Sequence, residues 1–530
     1  MKNRFFITFF AFIFVSGAVS AQNVSRDPQT RNVLIEDFTG IHCGNCPRAH
    51  KLLEHLILAQ PDKINCVAVH SGYFASPYRD EPDYRTEEGE ELGTYYGLDS
   101  WPSGLINRKE YSPYGLLLGT SSWTDAARAI TTLSAPVNID AVATYDSETR
   151  LISADVEMYF TEDVPAEDAR LSLLLTESEV IGPQSGGNMD DEYIHRHMLR
   201  DYITPLWGDA IEQTAEGSLV KVHYEYTLPD DYNGVVPDAE NMTLVSFVSG
   251  ADHEVLNVCS ARVSCPGMTR PLAATLEAYK ITPIRNYAFN FFECYLVNEG
   301  TEPITSATFS TCLNEGDTET CTWTGNINYK ERAYIRIPVS WTEGQRTSDN
   351  EYEVSLLALN GQDYQGGTLS GVFNGMIETG NKVMLTLTTD KHASDNTYRL
   401  LDADGNIVQE YGPYADGEVA TYEETLEMPL EGYYCFEITD AWGDGMTKNL
   451  GKAKWYQADG ETLITQNSDI AAFGYRIFFH ATDAAGISIV SSDADKDSAV
   501  YNVAGQRISV SQPGQLYIRN GRKCINNRNH

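Results

Sequence analysis

Positive charge is scarce in this chain. Its 530 residues hold 38 lysines and arginines against 75 aspartates and glutamates, a formal net charge of −37. A field of that sign disfavours nucleic acid and anionic lipid as partners. It permits cation binding, although a solvated acidic surface is the simpler use of the charge. Long apolar runs are missing too. After residue 21 no stretch is apolar for long enough to cross a membrane as a helix. Cysteines number only ten. That is too few for a disulfide-framework fold at this length, though an exported chain can still form individual bonds. Neither a Gly-x-Ser-x-Gly elbow nor His-Glu-x-x-His occurs, so two hydrolase signatures are excluded.

The N-terminus reads as a signal peptide. Lys2 and Arg4 give a positive end, Phe5 to Val15 an apolar core, and Val19 and Ala21 suit cleavage before Gln22. No cysteine sits at the cleavage point, so a lipid anchor is not expected. The mature chain, roughly 500 residues, suggests three to five domains.

The most chemical stretch is Asp37-Phe38-Thr39-Gly40-Ile41-His42-Cys43-Gly44-Asn45-Cys46-Pro47. An apolar run, Val33-Leu34-Ile35, enters it. A helical pattern with Leu52, Leu53, Leu56 and Ile57 on one face leaves it. Two cysteines at this spacing between strand and helix suit redox chemistry or a metal. The helix N-terminus would stabilise a thiolate at an exposed Cys43. Zinc needs a second ligand pair, and no second Cys-x-x-Cys exists. A buried strand, Ile64 to Val69, carries Cys66, which reads as an inert core thiol. Residues 70–95 read as a loop-rich insertion. Next comes Tyr96–Arg108, in which Gly97 and Pro102 frame a turn suited to a cis proline. A helix at about 122–133 closes the unit.

This order resembles the thioredoxin fold. Asp37, six residues before Cys43 and followed by Phe38, matches the buried acid of thioredoxins. The resemblance implies a nucleophile at Cys43, a resolving thiol at Cys46, a proton acceptor at Asp37 and a cis proline at Pro102. His42 replaces the usual tryptophan, and Gly44-Asn45 lacks the usual proline. A structural disulfide on a retired scaffold is the alternative. Val33–Gly40 with Cys-x-x-Cys-Pro, together with Tyr193-Ile194-His195-Arg196-His197-Met198-Leu199-Arg200, resembles the outer-membrane-protein-28-related family over about 32–262. That resemblance implies an α/β thioredoxin-like head, a β-rich module and a surface or outer-membrane association.

The rest alternates as strands. Val137–Tyr145, Ile152–Tyr159, Leu171–Thr176, Val220–Leu228 and Leu244–Gly250 fit a β-sandwich. His195 and His197 would share one strand face. That arrangement suits a metal pair, but no third ligand is evident, and packing is the alternative. Cys259 and Cys265 are placed to close a small loop, and Cys312 and Cys321 to bridge a hairpin. Around Asp440-Ala441-Trp442-Gly443-Asp444-Gly445 the chain resembles a motif of secreted β-modules. Asp440 and Asp444 there are candidate calcium ligands, with a plain turn as the alternative. Val500–Arg507 and Gly514–Lys523 resemble the sorting tails of type IX secretion substrates, which implies the secretion machinery as a partner.

The expected partition is a signal peptide at 1–21, a thioredoxin-like domain at 22–135, a β-sandwich at 136–265 and an Ig-like sandwich at 266–385. An accessory sandwich at 386–482 and a linker with tail at 483–530 complete it. Two functions compete. One is a surface binding or adhesion protein with a structural head and a surface ligand. The other is a thiol–disulfide oxidoreductase acting on exported protein clients through Cys43 and Cys46. No cofactor beyond the disulfide and the candidate calcium is expected.

Overall fold

A computed structural model describes residues 24–482 apart from 188–191, 268–269, 282–284, 287–289, 447–451 and 468–472, together with short strands between 500 and 525. The expected signal peptide and the linker at 483–499 lie outside the described residues. The protein is strand-rich, with several separate sheets. Among the described residues no helix is long and apolar enough to cross a membrane.

The first unit runs β1 (Val33–Thr39), α1 (Cys46–Ala59), β2 (Ile64–His70), α2 (Glu87–Tyr95), β3 (Ser103–Ile106), β4 (Leu117–Leu118) and α3 (Trp123–Thr131). β1 pairs parallel with β2 and antiparallel with β3. Every residue of β1 and β2 is buried, as befits strands covered on both faces. Alternation then sorts the side chains. Val33 and Ile35 pack with Ala49, Leu53 and Leu56 of α1 and Trp123 of α3. Leu34 and Phe38 face the other way, onto Leu174, Leu199, Val245 and Phe247. Asp37 shares the parity of Val33 and Ile35, so it points to the helix side.

The second unit runs β5 (Val137–Asp146), β6 (Leu151–Phe160), β7 (Arg170–Glu177), β8 (Val180–Gly182), β9 (Tyr193–His195), β10 (Met198–Tyr202), β11 (Asp209–Ala210), β12 (Leu219–Thr227), β13 (Met242–Ser249) and β14 (Val255–Ser264), and its share of that core comes from β7, β10 and the turn after it, β13 and β14. The expected break at 135/136 does not separate two sheets. One 12-stranded sheet runs β12-β6-β5-β14-β13-β7-β10-β2-β1-β3-β4, with β11 on β7. Met198 opposite Ala68 is the rung that joins the units. β8 and β9 form a separate two-stranded ribbon. His195 and His197 do not share a strand face. β9 ends at His195, and His197 sits at φ 54 before β10 begins.

Two further β units follow. In the third, strands Phe291–Asn298 and Arg332–Pro338 face strands Ile304–Leu313 and Asn350–Leu359 across a core of Phe292, Leu296, Phe309 and Leu356. In the fourth, a five-stranded and a four-stranded sheet enclose Tyr398, Phe436 and Trp455. Ile377–Thr379 and Lys382–Thr388 already pair within this fourth unit, so it begins before residue 386. Leu401, Cys435 and Phe478 of the fourth unit pack into the core of the third. Arg476 crosses the same junction, buried between Glu293 and Glu437.

Neither expected cysteine bridge forms. Cys259 and Cys265 are free. They stand six residues apart on and just past one extended strand, about 20 Å at the rise of a β-strand. Cys312 and Cys321 are also free. Phe309 is the residue opposite Cys321. Cys312 lies an odd number of residues from Phe309, so it points to the other face of the sheet. The tail pairs as four short strands, Val500–Asn502, Arg507–Ile508, Leu516–Arg519 and Arg522–Ile525, in a sheet of their own.

Candidate functional site

Cys43 and Cys46 are joined as a disulfide, with Cα atoms 5.4 Å apart. α1 begins at Cys46 itself, with Pro47 in its first turn and Asn45 as the N-cap. Cys43 therefore precedes the cap rather than occupying it. It is also not exposed: Cys43 is 3% accessible and Cys46 is fully buried. The cause is a segment far away in sequence. Gln184–Gly186, just after β8, pass over the disulfide loop. Ser185 N–H donates to the Ile41 carbonyl at 2.7 Å. The Gln184 side-chain amide donates to the carbonyls of Gly40 at 3.1 Å and Cys43 at 3.0 Å. Gly186 lies so close to Gly44 that a Cβ on it would meet the Gly44 oxygen at 2.3 Å.

Beneath the disulfide loop lies Asp37. Its carboxyl is fully buried and makes no hydrogen bond. Burial alone pushes its pKa up to about 8, so the neutral acid is the resting form at neutral pH. His50 Nε2 sits 3.6 Å from Asp37 Oδ2 and 2.9 Å from Thr39 Oγ1. His50 Nδ1 bonds the Tyr193 hydroxyl at 2.7 Å. Burial first, then His195 and His197, pull the His50 pKa down to about 3. His195 packs edge-on against Tyr193 and His70, while Tyr84 lies against both His70 and His195. His195 Nε2–H donates to the Pro183 carbonyl at 3.2 Å, which ties this buried ring cluster to the covering segment. His70 is buried and neither ring nitrogen has a partner. Burial holds its pKa well below the ordinary value.

Trp101–Pro102 is cis. Ser103 opposes Phe38, so the register puts Pro102 at the end of β1 from which the Cys43 loop departs. The Trp101 indole donates to the Ser71 carbonyl at 2.9 Å. The His42 ring lies 4.0 Å from that of Tyr78, tilted by 31°, and its Nε2 is 3.0 Å from Glu81 Oε2. Cys66 is buried on β2, and burial raises its thiol well above the usual range. That describes an inert thiol. Next to the ring cluster, a cleft of about 570 Å³ opens between Asp83–Glu90 and Arg200, Asp201 and Tyr232, with Tyr84 in its wall.

Asp440 and Asp444 lie in the fourth unit, away from the disulfide. Asp440 accepts backbone N–H bonds from Trp442 and Gly443, both at 2.7 Å, and from Gly445 at 3.0 Å. Asp444 takes Arg128 of α3 at 2.9 Å. Arg128 also pairs with Asp395 and lies 4.9 Å over the Trp442 ring. Lys391 and His392 both reach Asp125 on α3. Sequence reading missed this clamp and the covering segment. It placed His50 near the cysteines, one turn after Cys46 on the same helix, and Tyr193 in the motif Tyr193–Arg200, but not the contact between the two.

The profile of the outer membrane protein Omp28 family matches residues 90–265, from α2 to the end of the second unit. This Omp28-matching segment is about a third of the chain. Cys43 and Cys46 lie outside it. Among solved structures, HBP35 of Porphyromonas gingivalis is 17% identical over 64% of this chain and 98% of its own, with a TM-score of 0.37. A domain of the outer membrane lipoprotein Omp28 from Porphyromonas gingivalis is 23% identical over 25% of this chain and 90% of its own, with a TM-score of 0.19. No curated protein matches.

Proposed function

We propose that the protein is an exported, outer-membrane-associated or cell-surface binding protein with a thioredoxin-like head, and that its Cys43–Cys46 disulfide is largely structural. The observation that carries this reading is how the head is built in. Its central sheet continues into the Omp28 segment, and α3 is clamped to the fourth unit through Arg128. A catalytic redox head has to present its disulfide to clients. This one is packed between its neighbours, with Cys43 3% accessible. The Omp28 segment supports the outer-membrane or surface location. The ligand is a surface molecule, and the C-terminal strands act as a type IX-like sorting tail read by the secretion machinery. The test is surface labelling of intact cells with and without residues 500–530. The reading expects the full chain at the surface and the truncated chain trapped in the periplasm. Equal exposure of both would remove the sorting tail from it.

A second reading has one observation in its favour. A protonated acid, Asp37, lies under the disulfide loop with His50 beside it. A thiol–disulfide oxidoreductase needs such a group to exchange a proton with Cys46. In that reading Cys43 attacks an exported client, forming a mixed disulfide that Cys46 resolves. Cys46→Ala would then trap clients and Cys43→Ala would trap none.

A further inference from the structure

The segment Gln184–Gly186 does more than pack. It places three N–H···O bonds on the disulfide loop, at the carbonyls of Gly40, Ile41 and Cys43. We propose that Gln184–Gly186 is an intramolecular shield that keeps the Cys43–Cys46 disulfide out of reach, so that any thiol or phosphine must wait for this segment to lift before it can react.

Four observations carry this together. Ser185 N–H holds the Ile41 carbonyl, and the Gln184 amide holds the carbonyls of Gly40 and Cys43. Gly186, at φ +76, rests against the Gly44 carbonyl with no room for a side chain. His195 anchors the root of the segment through the Pro183 carbonyl. Cys43, in the turn under these contacts, is 3% accessible. Attack on a disulfide proceeds in line with the S–S bond and needs an open approach to one sulfur. With Cys46 fully buried at the start of α1 and Cys43 beneath Gln184–Gly186, neither sulfur offers one.

The shield is a statement about rate, whereas the structural or catalytic reading of the disulfide is a statement about equilibrium potential. Both rest on the burial of Cys43, but the rate measured here and the potential are separate readouts: fast native reduction at a low potential sinks the shield alone, and slow reduction at a high potential sinks the structural reading alone. The experiment follows reduction of the oxidised full-length chain by tris(2-carboxyethyl)phosphine, with the new thiols trapped by a maleimide and assigned by peptide mass. Phosphorus attacks one sulfur and the S–S bond breaks. Water then delivers oxygen to phosphorus and protons to the two thiols, so the phosphine is oxidised and the disulfide reduced. Two variants loosen the shield. Gln184→Ala removes both side-chain hydrogen bonds to the disulfide loop. Gly186→Val forces a Cβ into the Gly44 oxygen and strains a left-handed position. The native chain is expected to be reduced at least ~100-fold more slowly than in denaturant. Gln184→Ala is expected to react about tenfold faster than wild type when native, the size expected for two modest hydrogen bonds. Gly186→Val should be faster still, and all three chains should react alike in denaturant. If Gly186→Val fails to fold, Gln184→Ala decides alone. A native wild-type chain reduced as fast as the denatured one would overturn the shield, and so would a folded Gln184→Ala at the wild-type rate.

Discussion

Arg128 on α3 and Asp444 in the fourth unit form an ion pair at 2.9 Å, with 14% and 9% of their side chains exposed. More than 300 residues of sequence separate them. The pair closes the chain back on its first unit.

That closure predicts a coupling. Arg128→Ala strands Asp395 and Asp444, and should cost about 2–4 kcal/mol, towards the range for breaking a buried pair. In a double-mutant cycle with Asp444→Ala, the two changes should couple by about 1–3 kcal/mol in chemical denaturation. Additivity within about 0.5 kcal/mol would mean the clamp contributes little.

The same residues bear on calcium. An ion at Asp440 and Asp444 has to displace three backbone N–H groups and Arg128. Millimolar calcium is therefore expected to leave the melting temperature unchanged. An upward shift that Asp444→Ala abolishes would restore the ion by mass action.

Asp37 gives the protein a pH signature. Its folded pKa, about 8 against an ordinary 3.8, means the native state keeps a proton that the unfolded chain has lost. Stability from this group therefore falls as pH rises from about 4 to about 8 and then levels off. His50 and His195, held near 3 and 4, act oppositely. Their contribution is complete above the ordinary histidine value and is lost as pH falls below it. Asp37→Asn removes the first effect alone. The variant should gain on wild type steadily between pH 4 and 8, by an amount on the order of a few kcal/mol. A constant difference over that range would place an ionised carboxylate in the core.

Glu36 and Arg108 form a two-pronged buried pair, at 2.8 and 2.6 Å. Glu36→Ala leaves the guanidinium unpaired in the core and is expected to cost about 3–5 kcal/mol. A loss below about 1 kcal/mol, measured by denaturant titration, would show that water reaches Arg108.

Legibility in the sequence followed the range of the interactions. The strands of the second unit were readable because apolar and polar residues alternate in them. β6, expected at Ile152–Tyr159, is Leu151–Phe160. β1 and α1 were readable from equally local signals, a short apolar run and an apolar helical face. α2 was missed inside a polar stretch, although Thr86 before four glutamates is an N-cap signal, and its side chain does accept the Gly89 N–H at 2.9 Å. What no local pattern encodes is which distant segment covers what. Gln184 lies 141 residues from the Cys43 carbonyl it holds, and Tyr193 lies 143 from His50. Cys43 therefore reads as exposed from its own neighbourhood and is buried by another. The first boundary failed similarly, because one rung between Met198 and Ala68 merges two units that look separable in sequence.

The central claim is that the Cys43–Cys46 disulfide is structural. The most direct test is its reduction potential in the intact chain, from equilibration with defined dithiol–disulfide buffers and thiol trapping at both cysteines. A value below about −300 mV is predicted, the range of structural disulfides. A value between about −120 and −270 mV, where thiol–disulfide oxidoreductases work, would contradict it and leave Cys43 as a nucleophile.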